Sequence, residues 1–237
     1  PFLSEIFHGR NGFFEITNPG NQIIDLSNYM IAMSSNPDPV AVIKSRSGVS
    51  AWIHRYAKYV PGYRWVNESQ WAVTPGILVQ DLAVNPYVMG GDVFVGADIT
   101  FDNDASSQGY WDFPGECDVI FRDYDGRLQQ YRTPWEGERI GYLGRPVRLG
   151  LNANWYMFKI LNDSIKQGLK PANDPNDFEL IERFGMSDGS NWVIGGRAAQ
   201  SEENWMRKPH IYKGNPVPEG SFGTNADDSE WTFTNRA

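Results

Sequence analysis

Leu3-Ser4-Glu5-Ile6, Phe14-Glu15-Ile16-Thr17-Asn18-Pro19 and Ile24-Asp25-Leu26-Ser27-Asn28-Tyr29-Met30-Ile31 open the chain as three short strand-like runs. Asn11-Gly12 separates the first two, and both residues tolerate the positive φ that a type I′ hairpin turn demands. Pro19-Gly20-Asn21 marks the next reversal, since Pro pre-sets one turn dihedral and Gly and Asn accept the others. Three strands within so short a stretch predict an antiparallel, all-β beginning.

The rest of the chain extends that pattern. Residues 155–161 form a strongly apolar strand, with Phe158 and Ile160 on one face and Trp155 and Met157 on the other. Apolarity on both faces is what a central strand shows when both sides are covered. Ile77-Leu78-Val79 reads as a strand, and the Gly90-Gly91 turn joins the run Leu82, Val84, Pro86 to Val93-Phe94-Val95. Val119-Ile120-Phe121 and Leu128-Gln129-Gln130-Tyr131 predict a hairpin turning between Asp123 and Gly126. Helix is expected in two places only. Asp163 to Gln167 carries a capping residue and Gly168 as its stop. Residues 48–60 place Trp52, Tyr56 and Tyr59 on one helical face, with Ser50 as cap and Pro61-Gly62 as terminator; an extended arm is the alternative.

The opening runs resemble the start of a lamin-tail domain: an apolar-x-Glu-Ile strand, a second strand ending Asn18-Pro19, and a third beginning Asp25-Leu26-Ser27 and reaching Tyr29. The far end is similar to the closing segment of the bacterial, secreted branch of that family, with Arg207-Lys208-Pro209, then Gly220-Ser221-Phe222-Gly223-Thr224, then Ser229-Glu230-Trp231. Phe178-Glu179-Leu180-Ile181-Glu182-Arg183-Phe184-Gly185 looks like the family's late strand, and Asp188-Gly189-Ser190-Asn191-Trp192 like the turn after it. The resemblance covers residues 2–33 and about 155–231. It implies one antiparallel, immunoglobulin-like β-sandwich spanning 1–237, with residues 34–150 as a long, partly irregular insertion draped outside it. It also implies an extracellular or cell-surface, bacterial setting and a structural or protein-interaction role, in which the insertion supplies contacts to other chains of an assembly.

Composition bounds the function. At 237 residues, with 41% hydrophobic and 21% charged residues, the chain can bury a sizeable core and reads as neither disordered nor membrane-spanning. Apolar runs are only a few residues long, so no transmembrane helix is expected. The chain begins at Pro1 with no leader, the expectation for a processed product or an excised fragment. A net charge of −8 opposes nucleic-acid binding, which needs cations to displace the phosphates' counterions. Cys117 stands alone, so neither an internal disulfide nor a thiolate metal site can form; it reads as a small residue at a strand entry.

Catalytic signatures do not appear. His8, His54 and His210 are scattered, and no nucleophile elbow, phosphate loop or dinucleotide fingerprint occurs. No catalytic residue, cofactor or metal is therefore expected. Asp98, Asp102 and Asp104, with Asn103, could bring hard oxygen ligands to a structural calcium, as could Asp123 and Asp125, yet none follows the spaced EF-hand pattern and turns explain them equally well. A calcium-dependent hydrolase is accordingly the weakest alternative. Asn67 and Asn162 match the glycosylation pattern, but the bacterial resemblance speaks against its use. Aromatic residues make up 14% of the chain. Trp52, Tyr59, Tyr63, Trp65, Trp71, Tyr110, Trp111 and Trp135 lie in turn-rich sequence, where they either form a satellite core or contact a protein partner or a sugar. The alternative function is thus a carbohydrate-binding module. Phe14, Ile16, Leu26, Tyr29, Ile31, Phe158, Ile160, Leu180 and Trp231 are the expected core.

Overall fold

The computed structural model describes residues 1–8, 13–45, 56–66, 77–82, 84–98, 118–121, 151–201, 203–217 and 219–235. In chain order its strands begin with β1 (Phe2–His8), β2 (Phe13–Thr17), β3 (Ile24–Asp25), β4 (Tyr29–Ser34) and β5 (Tyr56–Tyr59). They continue with β6 (Tyr63–Val66), β7 (Ile77–Gln80), β8 (Tyr87–Val88), β9 (Val93–Asp98), β10 (Val119–Phe121) and β11 (Asn154–Ile160). β12 (Phe178–Phe184), β13 (Val193–Ile194), β14 (Arg197–Ala198), β15 (Glu203–Arg207) and β16 (Trp231–Asn235) close the series. The helices are α1 (Pro39–Lys44) and α2 (Asp163–Lys166).

Two sheets make the sandwich. One has six strands in the order β10-β9-β2-β1-β15-β16, and the other four in the order β12-β11-β4-β5. Every pairing in them is antiparallel except β9 with β10. Ile6, Phe14, Ile16, Phe94, Trp205 and Trp231 from the larger sheet meet Ile31, Met33, Trp155, Met157 and Phe184 from the smaller in one core. The Phe14 and Trp155 rings lie 5.4 Å apart across it. Each such side chain stabilises the fold by about 1.5–3 kcal/mol when fully buried.

The smaller sheet is covered on both faces. Met30, Ala32, Tyr156, Phe158, Ile160 and Phe178 point away from the first core and pack under Val42 and Ile43 of α1, Ile165 of α2 and Leu78 of β7. That third layer is why β11 is apolar on both sides, with Lys159 its one exposed residue. Of the expected core, Tyr29 and Leu180 are only partly buried, and the other seven are buried.

Local irregularities serve the packing. Leu3 and Ile6 are three residues apart, a spacing that puts regular-strand side chains on opposite faces. The register between β1 and β2 shifts between Leu3 and Glu5, and this bulge brings both residues into the core. Ser4, the extra residue, donates its hydroxyl to Glu15 Oε1 at 2.6 Å.

Some expectations hold and others need correction. The β1 and β2 hairpin forms, with Phe7 opposite Phe13; its tip, 9–12, lies outside the described residues. α2 forms over Asp163–Lys166, with Asn162 rather than Asp163 as its cap, and Gly168 at φ +70 follows it. Both ends of the Asn162 amide are engaged, Oδ1 by Ser164 N–H and Nδ2 by Asp177, so this sequon is a helix cap. The helix expected over 48–60 is not supported where it is described: residues 56–59 form β5, because their backbone completes the edge of the four-stranded sheet against β4. Lys58 alternates outward to α1, donating to Ile43 O at 2.6 Å and to Ser45 O, while Tyr59 turns into the core. α1 was not expected; Asp38 caps it through Val40 N–H and Pro39 opens its first turn.

The turn at Gly90-Gly91 exists but does not make a hairpin. β8 pairs with β3, whereas β9 pairs with β2 in the larger sheet. Residues 34–150 are also not simply draped outside. β5, β9 and β10 are strands of the two main sheets, and Tyr59, Val84, Val88, Phe94 and Val119 belong to the central core. Cys117 and the expected second strand of the 119–131 hairpin lie outside the described residues.

Candidate interaction surfaces

The motifs at the far end converge on one buried clamp. Arg207, at the end of β15, places Nη2 2.7 Å from Glu182 Oε1 on β12 and Nη1 3.0 Å from Glu230 Oε2. Its Nη1 also donates to Lys213 O at 3.1 Å, and its guanidinium lies 4.7 Å above the Trp231 ring. Asn215 Nδ2 donates to Glu230 Oε1 at 2.9 Å. Burial pushes the Glu182 carboxyl up to about 8, against the opposing pull of Arg207. Beside the clamp, Phe184 meets Trp192, Phe222 and Trp231 edge-on at 4.8, 4.9 and 4.8 Å. Arg207 thus ties Glu182 of one sheet to Glu230 beside the other, although Glu182 Oε2 and Arg207 Nε are buried without a hydrogen-bond partner.

The opening segment ends in a second fastening. Asn18, 1% exposed, donates Nδ2 to Gln22 O, Val88 O and Met89 O at 2.7, 2.9 and 3.0 Å, and its Oδ1 accepts from Gly20 N–H. It bolts the 19–22 turn to β8. Gly90 has to lack a side chain, because a Cβ there would lie 2.6 Å from the Asn21 backbone. Asn18→Ala leaves the Val88 carbonyl buried without this donor and is expected to cost about 2–3 kcal/mol. Asn18→Asp, which turns oxygens toward three carbonyls, costs more. Urea midpoints of the two variants check the order.

This fastening presents an exposed ribbon. Asp25 lies opposite Tyr87 on β3 and β8, and their backbones continue to Ile23 and Met89. Ile23, Tyr87 and Met89 are 58%, 58% and 56% exposed, whereas Val88 between them faces the core. Tyr63, half-buried, stands near Tyr87, Asp25 and Asp163, and burial is the main cause that raises its hydroxyl pKa.

The third surface is a strand edge. Among the described residues, β16 pairs with β15 alone. Ser229 Oγ accepts from Trp231 N–H at 3.1 Å and donates to Trp231 O at 3.2 Å, so both Trp231 backbone groups face away from β15 and are already satisfied. By antiparallel alternation Thr232 and Thr234 turn their backbone groups to β15, and Phe233 turns its own outward. Phe233 is 36% exposed, with Trp205 5.1 Å beneath its ring and Arg197 4.0 Å over it. The β12 edge differs: Arg183 N–H donates to Asn215 O at 3.0 Å, and Gly214 lies against Ile181 O.

The sequence-chosen contact residues are only partly placed. Tyr59 is 2% exposed and is a core residue, a correction forced by its position on the inner face of β5. Tyr63 lies at the ribbon. Trp65 and Asp98 belong to β6 and β9, but their side chains lie outside what is described. Trp52, Trp71, Tyr110, Trp111, Trp135, Asp102 and Asp104 lie outside the described residues altogether. Among the described residues, no three His, Cys, Asp or Glu side chains stand close enough to hold a metal ion. Sequence reading missed the β16 edge as a surface; the uncharged run Trp231-Thr232-Phe233-Thr234-Asn235 was its signal. Comparison of the chain with protein-family models, with curated proteins and with solved structures gives no match.

Proposed function

We propose that this chain is a non-catalytic structural or protein-interaction module of a secreted, cell-surface or particle-forming assembly, an elaborated lamin-tail-type domain with immunoglobulin-like sheets. The residues that carry the resemblance at both ends, Asn18 among them and Arg207, Glu182, Glu230 and Trp231, are spent on fastening the sandwich. The observation that carries the reading is the β16 edge, which among the described residues pairs on one side only and has its outward backbone groups satisfied at Trp231 by Ser229. Proteins guard such edges with charge, proline or a covering loop, or use them to add a strand from a neighbour. Trp231–Asn235 carries neither charge nor proline.

A carbohydrate-binding module would instead show flat, solvent-facing Trp rings. The four Trp side chains that are described, Trp155, Trp192, Trp205 and Trp231, are all buried, and the Trp residues on which that reading rests, Trp52, Trp65, Trp71, Trp111 and Trp135, have side chains outside what is described. Retention on insoluble polysaccharides, measured beside light scattering of the same protein, separates the two readings. The assembly reading expects mass above that of one chain and no retention. Retention of a strictly monomeric chain would overturn it.

A further inference from the structure

We infer that Arg183, Asn154 and Ser34 form a binding site for a small oxyanion, a carboxylate or a phosphate, at one end of the smaller sheet. The assembly reading above concerns the other sheet, and neither depends on the other.

Three adjacent strands bring the residues together. Ser34 ends β4 directly opposite Asn154, which opens β11, and Arg183 on β12 lies opposite Tyr156, on the same face of β11 as Asn154. Ser34 and Asn154 are fully buried, and Arg183 is 4% exposed. The guanidinium grips the Asn154 amide: Nε and Nη2 donate to its Oδ1 at 3.3 and 3.0 Å, and Nη2 also donates to Met186 O at 3.1 Å. It lies 5.6 Å from the centre of the Tyr156 ring. A Cβ at Gly185 would collide with that amide, so the glycine is what lets Asn154 sit there.

This cluster has donors to spare and too few acceptors. Asn154 Nδ2 is buried without a hydrogen-bond partner. Arg183 Nη1 has none among the described residues, where the guanidinium meets only the Asn154 amide and the Met186 carbonyl. Ser34 Oγ accepts from Asn36 N–H at 2.8 Å, which leaves its own proton to give. A guanidinium cannot shed its proton in a protein, and a buried cation without an anion is strongly destabilising. Yet the carboxylates of the neighbouring turns are engaged by main chain: Asp38 accepts from Val40 N–H, Asp188 from Ser190 N–H and Glu219 from Ser187 N–H. An oxyanion answers both needs, its charge for the guanidinium and its several oxygens for the amide and the hydroxyl. Chloride would answer the charge alone. The chain's net charge of −8 repels anions at a distance, so the hold is local and is measured at fixed ionic strength.

Side-chain NMR of the isotopically labelled full chain tests this, following Arg183 Nε–H and the Asn154 amide while acetate or phosphate replaces chloride at constant ionic strength and neutral pH. Both signals are expected to move along one saturable curve, and the arm that saturates names the anion. Asn154→Asp sets a carboxylate on Arg183 from within the chain. That variant is expected to melt higher than the wild type in chloride and to bind the anion at least about tenfold more weakly, because like charges then meet in the site. Wild-type signals that stay put, or that move no more in acetate and phosphate than in chloride, would overturn the site on their own. So would an Asn154→Asp chain that binds the anion as the wild type does.

Discussion

Arg207→Ala is expected to destabilise the fold by about 3–5 kcal/mol, since it leaves two carboxyl groups facing each other in the interior without their cation. Glu182 is fully buried and Glu230 half-buried, and Arg207 is the cation the structure places on both. The loss also removes the contact over Trp231 and the donor to Lys213 O. Its pH dependence has a definite sign. In the folded wild type the Glu182 carboxyl titrates at about 8, above its ordinary value of 4.5. Such a group binds its proton more tightly folded than unfolded, so its contribution is complete below 4.5 and is lost as pH climbs through about 8. Without Arg207 the carboxyl moves higher still. The deficit of the variant is therefore constant below pH 8 and grows above it. Urea titrations at a series of pH values read this directly, and a deficit that shrinks in alkali would contradict the pairing. Replacing the whole triad by apolar residues of similar size is expected to recover most of the loss.

Trp231→Ala is expected to cost a similar amount, about 3–5 kcal/mol, for a different reason. The indole fills the space between Phe184 and the Arg207 guanidinium, and its Nε1 donates to Ser221 Oγ at 3.0 Å. Truncation opens a cavity where the sheets meet and leaves the buried Ser221 hydroxyl without that donor. Because the two side chains touch, the double variant should lose less than the sum of the single losses. Strict additivity would place them in separate units of the fold. Phe233→Ala, two residues on and at the rim, should cost far less stability while weakening association.

The sequence read well where one strand's own pattern decides its environment. Residues 155–161 announced a central strand because both faces are apolar, and the structure supplies a layer for each face. Gly168 marks the stop after α2 through a positive φ that few other residues meet. Tertiary context decided the remainder. Tyr56 and Tyr59 fit a helical stripe as well as they fit a strand, and only the free edge of β4 chose between them. β9 could not be assigned to the larger sheet from sequence, since its partner β2 lies far back along the chain. α1 was short, and its Asp38-Pro39 start looked like a linker. The clamp residues lie in separate motifs, and nothing in their order says that Arg207 reaches Glu182. Tyr59 is a core residue and not a contact residue because its turn-rich flanks enclose a strand whose inner face is buried.

Contacts across the sandwich test the central claim most directly, because the account stands on strands from both ends of the chain folding together into two opposed sheets. In nuclear Overhauser spectra of the isotopically labelled chain, cross-peaks are expected between the rings of Phe14 and Trp155, and between those of Phe184 and Trp231, whose centroids lie 5.4 and 4.8 Å apart. Absence of the Phe14–Trp155 cross-peak, with both regions otherwise ordered, would mean that the two ends fold as separate bodies, and absence of the Phe184–Trp231 one that the two sheets do not face each other.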